Sequence, residues 1–159
     1  MTSLPESESF VLLRLSERRF AVAAGDIAEL VAPSRIFRFP HQTKEVEGLV
    51  VRRGRIVPVI DVAARLLGRR LADRRFYLIA QRRYAAGTEW IAIPVTGDCE
   101  LIFADMIPAS EADLPHVAGW LSHDGDVIEV LNLNALTPGP NPAPLRAPAA
   151  DSLQQEAFS

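Results

Sequence analysis

Residues 45–68 read EVEGLVVRRGRIVPVIDVAARLLG. Two apolar runs, 46–51 and 55–62, flank a compact basic turn, Arg52-Arg53-Gly54-Arg55. Short β-branched runs on either side of a Gly-bearing turn predict a β-hairpin. A hairpin tip can be polar without three arginines, so the charge needs a separate reason. The second run carries Pro58, ends at Asp61 and changes character. VAARLLG (62–68) predicts one or two helical turns, with Asp61 as N-cap and Gly68 as stop.

The stretch recurs. Shifted by 71 residues, GLVVRRGRIVPVIDV (48–62) lies over GWLSHDGDVIEVLNL (119–133). Gly48 meets Gly119, Gly54 meets Gly125, Val59 meets Val130 and Asp61 meets Asn132. The same offset lays FAVAAGDIAELV (20–31) over IAIPVTGDCELI (91–102). One offset serving two separate segments predicts two copies of a single β-rich unit. Further runs at 9–15, 18–24, 27–32, 74–81, 89–95, 99–104, 118–122 and 126–133 read as strands between turn signals. Pro58 and Pro94 fall inside runs and predict an edge or a bulge. Many short strands without a long helix between them predict small barrels or a sandwich. From residue 137 the composition turns to Pro and Ala and predicts a flexible tail.

The charges break the repeat. Arg52, Arg53 and Arg55 correspond to His123, Asp124 and Asp126. Of the 17 basic residues, 16 lie in residues 1–83, which carry a net charge of +7; residues 84–159 carry −10. Packing alone does not require two similar units of opposite sign, whereas two distinct partner surfaces do. Arginine suits both protein carboxylates and nucleic-acid phosphates. Phe76, Tyr77 and Tyr84 beside the arginine pairs 74–75 and 82–83 therefore keep a nucleic-acid-binding barrel as the alternative. The overall acidity weighs against it.

No catalytic or cofactor signature is present. His41, His116 and His123 lie far apart, Cys99 is the only cysteine, and no phosphate loop, dinucleotide fingerprint or nucleophile elbow occurs. A catalytic role is expected for no residue, and no metal or cofactor is expected. The N-terminus shows no signal-peptide pattern and no run reaches the ~20 apolar residues of a membrane span. The lone cysteine fits a reducing cytoplasm.

The central stretch resembles the signature of the CheW-like domain, approximately G-V-x-N-L-R-G-x-x-[IV]-P-[IV]-x-D-L. Gly48, Arg53, Gly54, Pro58 and Asp61 match it, while Val51-Arg52 replace the usual Asn-Leu. Upstream, Phe20, Ile27, Glu29, Ile36 and Pro40 agree with the family's pattern. The resemblance spans residues 9–136. It implies an all-β fold of two five-stranded SH3-like barrels packed side by side, with the repeat segments 20–62 and 91–133 in one domain. It implies a non-enzymatic adaptor of a bacterial chemosensory pathway. Its partners would be the regulatory domain of a CheA-type histidine kinase and the cytoplasmic tip of a chemoreceptor, bound in the groove between the lobes. The place would be the cytoplasm, with recruitment to membrane receptor arrays and no insertion. By position, Ile27, Glu29, Gly48 and Arg53 match partner-binding residues, and Arg52 shares the turn. Glu29 and Arg53 are expected to bridge adjacent strands. Ala24 and Phe76 are candidates for the receptor groove, Phe76 equally for the core.

Overall fold

The structure, a computed structural model, describes residues 8–38, 46–84, 87–110 and 115–136. The tail expected over 137–159 lies outside these residues, as does His41. The chain runs through β1 (Glu8–Leu15), β2 (Arg18–Ala23), a 3₁₀ turn (Ala24–Asp26), β3 (Ile27–Val31), β4 (Val46–Arg52), β5 (Arg55–Ile60) and α1 (Val62–Leu66). It continues through β6 (Phe76–Tyr84), β7 (Gly87–Val95), β8 (Glu100–Ala104), β9 (Ile107–Pro108), β10 (Val117–His123), β11 (Asp126–Leu131) and α2 (Leu133–Leu136). The expected strands form. β9 was not foreseen, because two residues carry no periodicity. The run expected as strand to residue 133 ends at Leu131, where Asn132 turns it into α2.

The strands make two sheets. The first lobe has the order β3-β6-β7-β5-β4 and the second β8-β1-β2-β11-β10-β9. The expected five strands per lobe are met, with β9 as a short sixth. Its counterpart in the first lobe is a bridge between Phe37 and Leu49. The 71-residue offset holds in three dimensions: β5 meets β7 in parallel at Val59 and Ala92, and β11 meets β2 in parallel at Val130 and Ala21. The repeat units and the sheets are nonetheless different partitions. β2 leads the first copy but lies in the second lobe; β7 leads the second copy but lies in the first lobe. Each copy lends its first strand to the other.

That exchange explains the packing. Successive residues of a strand face opposite sides, so β2 and β7 serve two cores. Val50, Val57, Val59, Tyr77, Ile79 and Ala92 fill the first barrel. Their repeat counterparts Leu121, Ile128, Val130, Phe10, Leu12 and Ala21 fill the second. The opposite faces meet in a third and larger core between the lobes, where Phe20, Val22, Ile91, Ile93, Leu13, Leu15 and Leu78 are all buried. Ala21 and Ala92 point into the narrow barrels, while the bulkier Phe20 and Ile91 point between them.

Pro58 and Pro94 require a correction. Both lie on interior strands rather than at a sheet edge. They are tolerated because the β5–β7 ladder is limited to the pair Val59–Ala92. Pro58 opposite Leu49 and Pro94 opposite Tyr77 therefore each have an unpaired flank where the missing N–H costs nothing.

Candidate functional site

The β4–β5 hairpin closes through two residues, Arg53 and Gly54, between the paired Arg52 and Arg55. Arg53 has φ 54° and Gly54 φ 76°. Two successive positive φ values match the right-handed strand twist, which is the reason such turns dominate tight hairpins. Glycine adopts them freely, arginine only at a cost. The arginine is thus held in an unfavourable backbone position at the tip of the lobe.

Glu29 explains where the arginines go. Arg52 donates through Nε to Glu29 Oε2 at 2.9 Å and through Nη2 to Oε1 at 2.8 Å. Arg53 approaches the same oxygens at 3.3 and 3.4 Å. The bidentate geometry fits a planar guanidinium against a carboxylate. Hydrogen bonds from Arg52, then Arg53, hold the Glu29 carboxyl down at about 2. Glu29 in turn raises Arg52. The expected Glu29–Arg53 pair is present but weaker than Glu29–Arg52. Nor does it join hydrogen-bonded neighbours: β3 and β4 are the two ends of the sheet order. The clasp ties the open edges of the first barrel together. The Glu29 side chain is 18% exposed, whereas Arg53 is 65% exposed and offers its outer face to solvent.

The remaining predicted residues are placed as follows. Ala24 lies in the 3₁₀ turn that carries the chain from one sheet to the other, half-buried. Ile27 opens β3 and packs partly against the core between the lobes. Gly48 is buried under the 36–37 segment, and a Cβ there would collide with Ile36 Cγ2 and press on the Phe37 carbonyl at 3.0 Å. Its role is to let that segment close over β4. Phe76 starts β6 at the far end of the β3–β6 ladder from Ile27 and is half-buried against the same core. The structure therefore brings Glu29, Arg52 and Arg53 together, places Ile27 and Ala24 along the chain from them, and sets Phe76 apart. Tyr77 is 3% exposed and fills the first barrel, so it is not available to stack on a base.

A second ionic cluster escaped the sequence reading. Arg74 donates to Glu47 Oε2 and Oε1 at 2.6 and 2.7 Å and to Asp61 Oδ2 at 2.8 Å. Arg70 joins Glu47 at 2.7 Å. Burial pushes Glu47 up, but the hydrogen bonds from Arg74 and Arg70 outweigh it and leave the carboxyl lowered. Asp61 is the N-cap expected: Ala63 N–H donates to its Oδ1 at 3.0 Å, and Leu71 N–H donates to Oδ2 at 2.8 Å. The arginine pairs at 69–70 and 74–75 were visible in the sequence. Glu47 gave no signal, because only the fold brings it under them. Among the described residues no three His, Cys, Asp or Glu side chains converge as a metal site, and no helix is long and apolar enough to cross a membrane.

The comparisons agree with this geometry. A family model described as the CheW-like domain matches residues 9–96. Among solved structures, the scaffolding protein TtCheW from Thermoanaerobacter tengcongensis superposes with a TM-score of 0.69 at 22% identity, covering 86% of this chain and 91% of that one. At that identity the likeness speaks for the fold. No curated protein sequence matches the chain. The matched segment holds the arginine hairpin, Glu29 and the strands that carry them, and spans more than half of the sequence: the chain belongs to the CheW-like domain family.

Proposed function

We propose that the chain is a non-enzymatic adaptor that couples a chemoreceptor to a CheA-type histidine kinase in a bacterial chemosensory pathway. It would act in the cytoplasm, recruited to receptor arrays at the membrane by its partners. The observation that carries this reading is the clasped arginine tip of the first lobe. Arg53 occupies a costly backbone conformation with most of its side chain facing solvent, an arrangement that a partner surface rewards and folding does not. Family membership supports the partner class, and Ile27, Glu29, Gly48, Arg52 and Arg53 form or support the contact surface, with Ala24 and Phe76 assigned to the receptor side.

The test is binding of the purified chain to the kinase's regulatory domain by calorimetry, beside the Arg53→Glu variant. The variant should keep its circular dichroism spectrum and lose about 2–5 kcal/mol of binding free energy, the usual cost of a mismatched charge at a desolvated interface. Normal binding by the folded variant would remove Arg53 from the contact. An unfolded variant would make it a structural residue. Failure of the wild-type chain to bind the kinase domain would sink the adaptor reading itself.

A further inference from the structure

We propose that a cavity between β6 and α2 binds a free α-amino acid with an apolar side chain. The inference goes beyond the coupling function and does not rest on it. The cavity has a volume of about 280 Å³, and Phe10, Met106, Ala118 and Leu133 give it an apolar wall. Polar groups line the rest. Glu8 and Asp26 bring carboxylates, Arg83 a guanidinium, and Gln81, Asn132 and Asn134 amides. Gln81 and Arg83 lie on β6 of the first sheet, whereas Glu8 and Ala118 lie on β1 and β10 of the second, so the site spans both lobes.

The first lobe shows what this part of the fold holds. By the 71-residue offset Ala118 corresponds to Glu47 and Asn132 to Asp61. Phe10 takes the place of Tyr77 in the paired barrel cores. In the first lobe the chain supplies the occupants itself. Leu71 is buried, its N–H donating to Asp61 Oδ2, and the Arg74 guanidinium is held by Glu47 and Asp61. That space thus takes one aliphatic side chain beside one nitrogen cation. In the second lobe the two matching positions are neutral, and the carboxylates stand instead at Glu8 and Asp26. The cavity keeps the means to hold an aliphatic group beside a cation, and Arg83 adds a site for an anion.

These polar groups have bonding capacity to spare. Among the described residues neither Glu8 nor Gln81 has a side-chain hydrogen bond or ion pair. Arg83 Nη2 and Asp26 Oδ1 stand 3.8 Å apart, beyond hydrogen-bond distance. An ammonium and a carboxylate carried on one carbon suit such a loose pair. The carboxylate takes the planar fork of Arg83, and the three ammonium donors go to Asp26 and Glu8. The side chain then lies against Met106 and Leu133. The two walls are already joined: Asn134 Oδ1 accepts from Arg83 N–H, and Asn134 N–H donates to Asn132 Oδ1, both at 3.1 Å. The volume lies at the small end of ligand pockets, which favours a single amino acid over a nucleotide.

Met106 is the only methionine besides Met1, so its methyl resonance reports on the cavity. The test is titration of the full chain with L-leucine, L-methionine and L-phenylalanine, by calorimetry and by NMR of that methyl. At least one of the three should bind and shift the Met106 methyl to saturation. Arg83→Gln, at an exposed side chain, should keep the circular dichroism spectrum and weaken that amino acid about tenfold or more. It should not weaken the matching decarboxylated amine, whereas Asp26→Asn should weaken both. Ala118→Trp, which fills the cavity, should abolish binding. Absence of heat and of any shift with all three amino acids at about 10 mM would overturn the proposal. So would binding that leaves the Met106 methyl unmoved, or that Arg83→Gln leaves unchanged. An amine that binds as tightly as its amino acid would reduce the cavity to a cation site, and the amino-acid assignment would be wrong.

Discussion

The two lobes share a backbone and differ in how they close it. At the seam where β5 meets β7, Arg55 lies over the Trp90 ring at 4.4 Å. At the same two repeat positions in the second lobe, Asp126 accepts from Arg19 at 2.6 Å. At the hairpin tips, Arg53-Gly54 and Asp124-Gly125 adopt the same pair of positive φ values. Glu29 clasps the first tip, whereas Glu100, its counterpart, would face His123 and Asp124 instead of two arginines. The repeat thus dictates turns, registers and barrel interiors, while the side-chain pairs at the surface differ from lobe to lobe. Residues 27–95, which include the whole first lobe, hold 13 of the 17 basic residues. The difference teaches that the two lobes, alike in strand pairing and turn geometry, present surfaces of different charge.

The strongest way to break the comparison is to treat the lobes as independent. Phe20 is fully buried in the shared core, and it sits on a strand that the first copy lends to the second lobe. Phe20→Ala should lower stability by about 3–5 kcal/mol. Calorimetry should still show one transition, because the same core supports both barrels. Two resolved transitions would show that the lobes unfold separately and that the strand exchange does not couple them.

The next test sets the ionic cluster against its neutral counterpart. Glu47→Gln leaves Arg74, whose side chain is 12% exposed, without its main carboxylate. A fully desolvated pair would cost ~3–5 kcal/mol; with Arg70 open to water, about 2 kcal/mol is expected. Asn132→Ala, at the position matching Asp61, removes a helix cap and a long contact from the Asn132 amide to the Pro115 carbonyl, and should cost about 1 kcal/mol. Urea midpoints give both numbers. Equal losses would mean that the first-lobe cluster contributes no more than capping.

Much of this was legible beforehand. The offset of 71, the alternation of the strands and the glycine turns are local signals, and they specified a doubled β-rich unit and the arginine hairpin; that the units are two barrels rather than a sandwich came from the family resemblance. The strand exchange was not legible, because β2 and β7 read alike whichever sheet they join; only the pairing of Val59 with Ala92 and Val130 with Ala21 reveals it. Arg52 as the tighter partner of Glu29 was missed for a related reason. A sequence shows that two arginines adjoin, not which one the hairpin twist aims across the barrel opening. Gly48 was read as a contact residue from its position alone, and its crowding under Ile36 becomes visible only when the 36–37 segment folds over it.

A smaller effect probes the tip. Asp tolerates positive φ better than Arg, so Asp124 sits comfortably where Arg53 is strained. Arg53→Asn should raise stability by about 1 kcal/mol, and the folded variant should bind the kinase domain more weakly. A loss of stability would mean that the long contacts from Arg53 to Glu29 outweigh the backbone cost.

The smallest expected effect is the pH response of the clasp. Hydrogen bonds from Arg52 and Arg53 lower the Glu29 carboxyl from 4.5 to about 2. The folded state thus binds its proton less readily than the unfolded chain does. The stabilisation is complete above pH 4.5 and fades as pH falls through 4.5 toward 2. The pair is close to solvent, so its share of the total stability is small and salt weakens it further. The direct measurement is the Glu29 carboxyl resonance by NMR, which should titrate well below the ordinary range in the wild type. In Arg52→Gln it should move up most of the way, and in Arg53→Gln only a little, in proportion to the 2.8–2.9 Å and 3.3–3.4 Å contacts. Equal shifts in the two variants would make the clasp a symmetric fork. An unshifted wild-type resonance would mean that the open edges of the first barrel are not tied by charge.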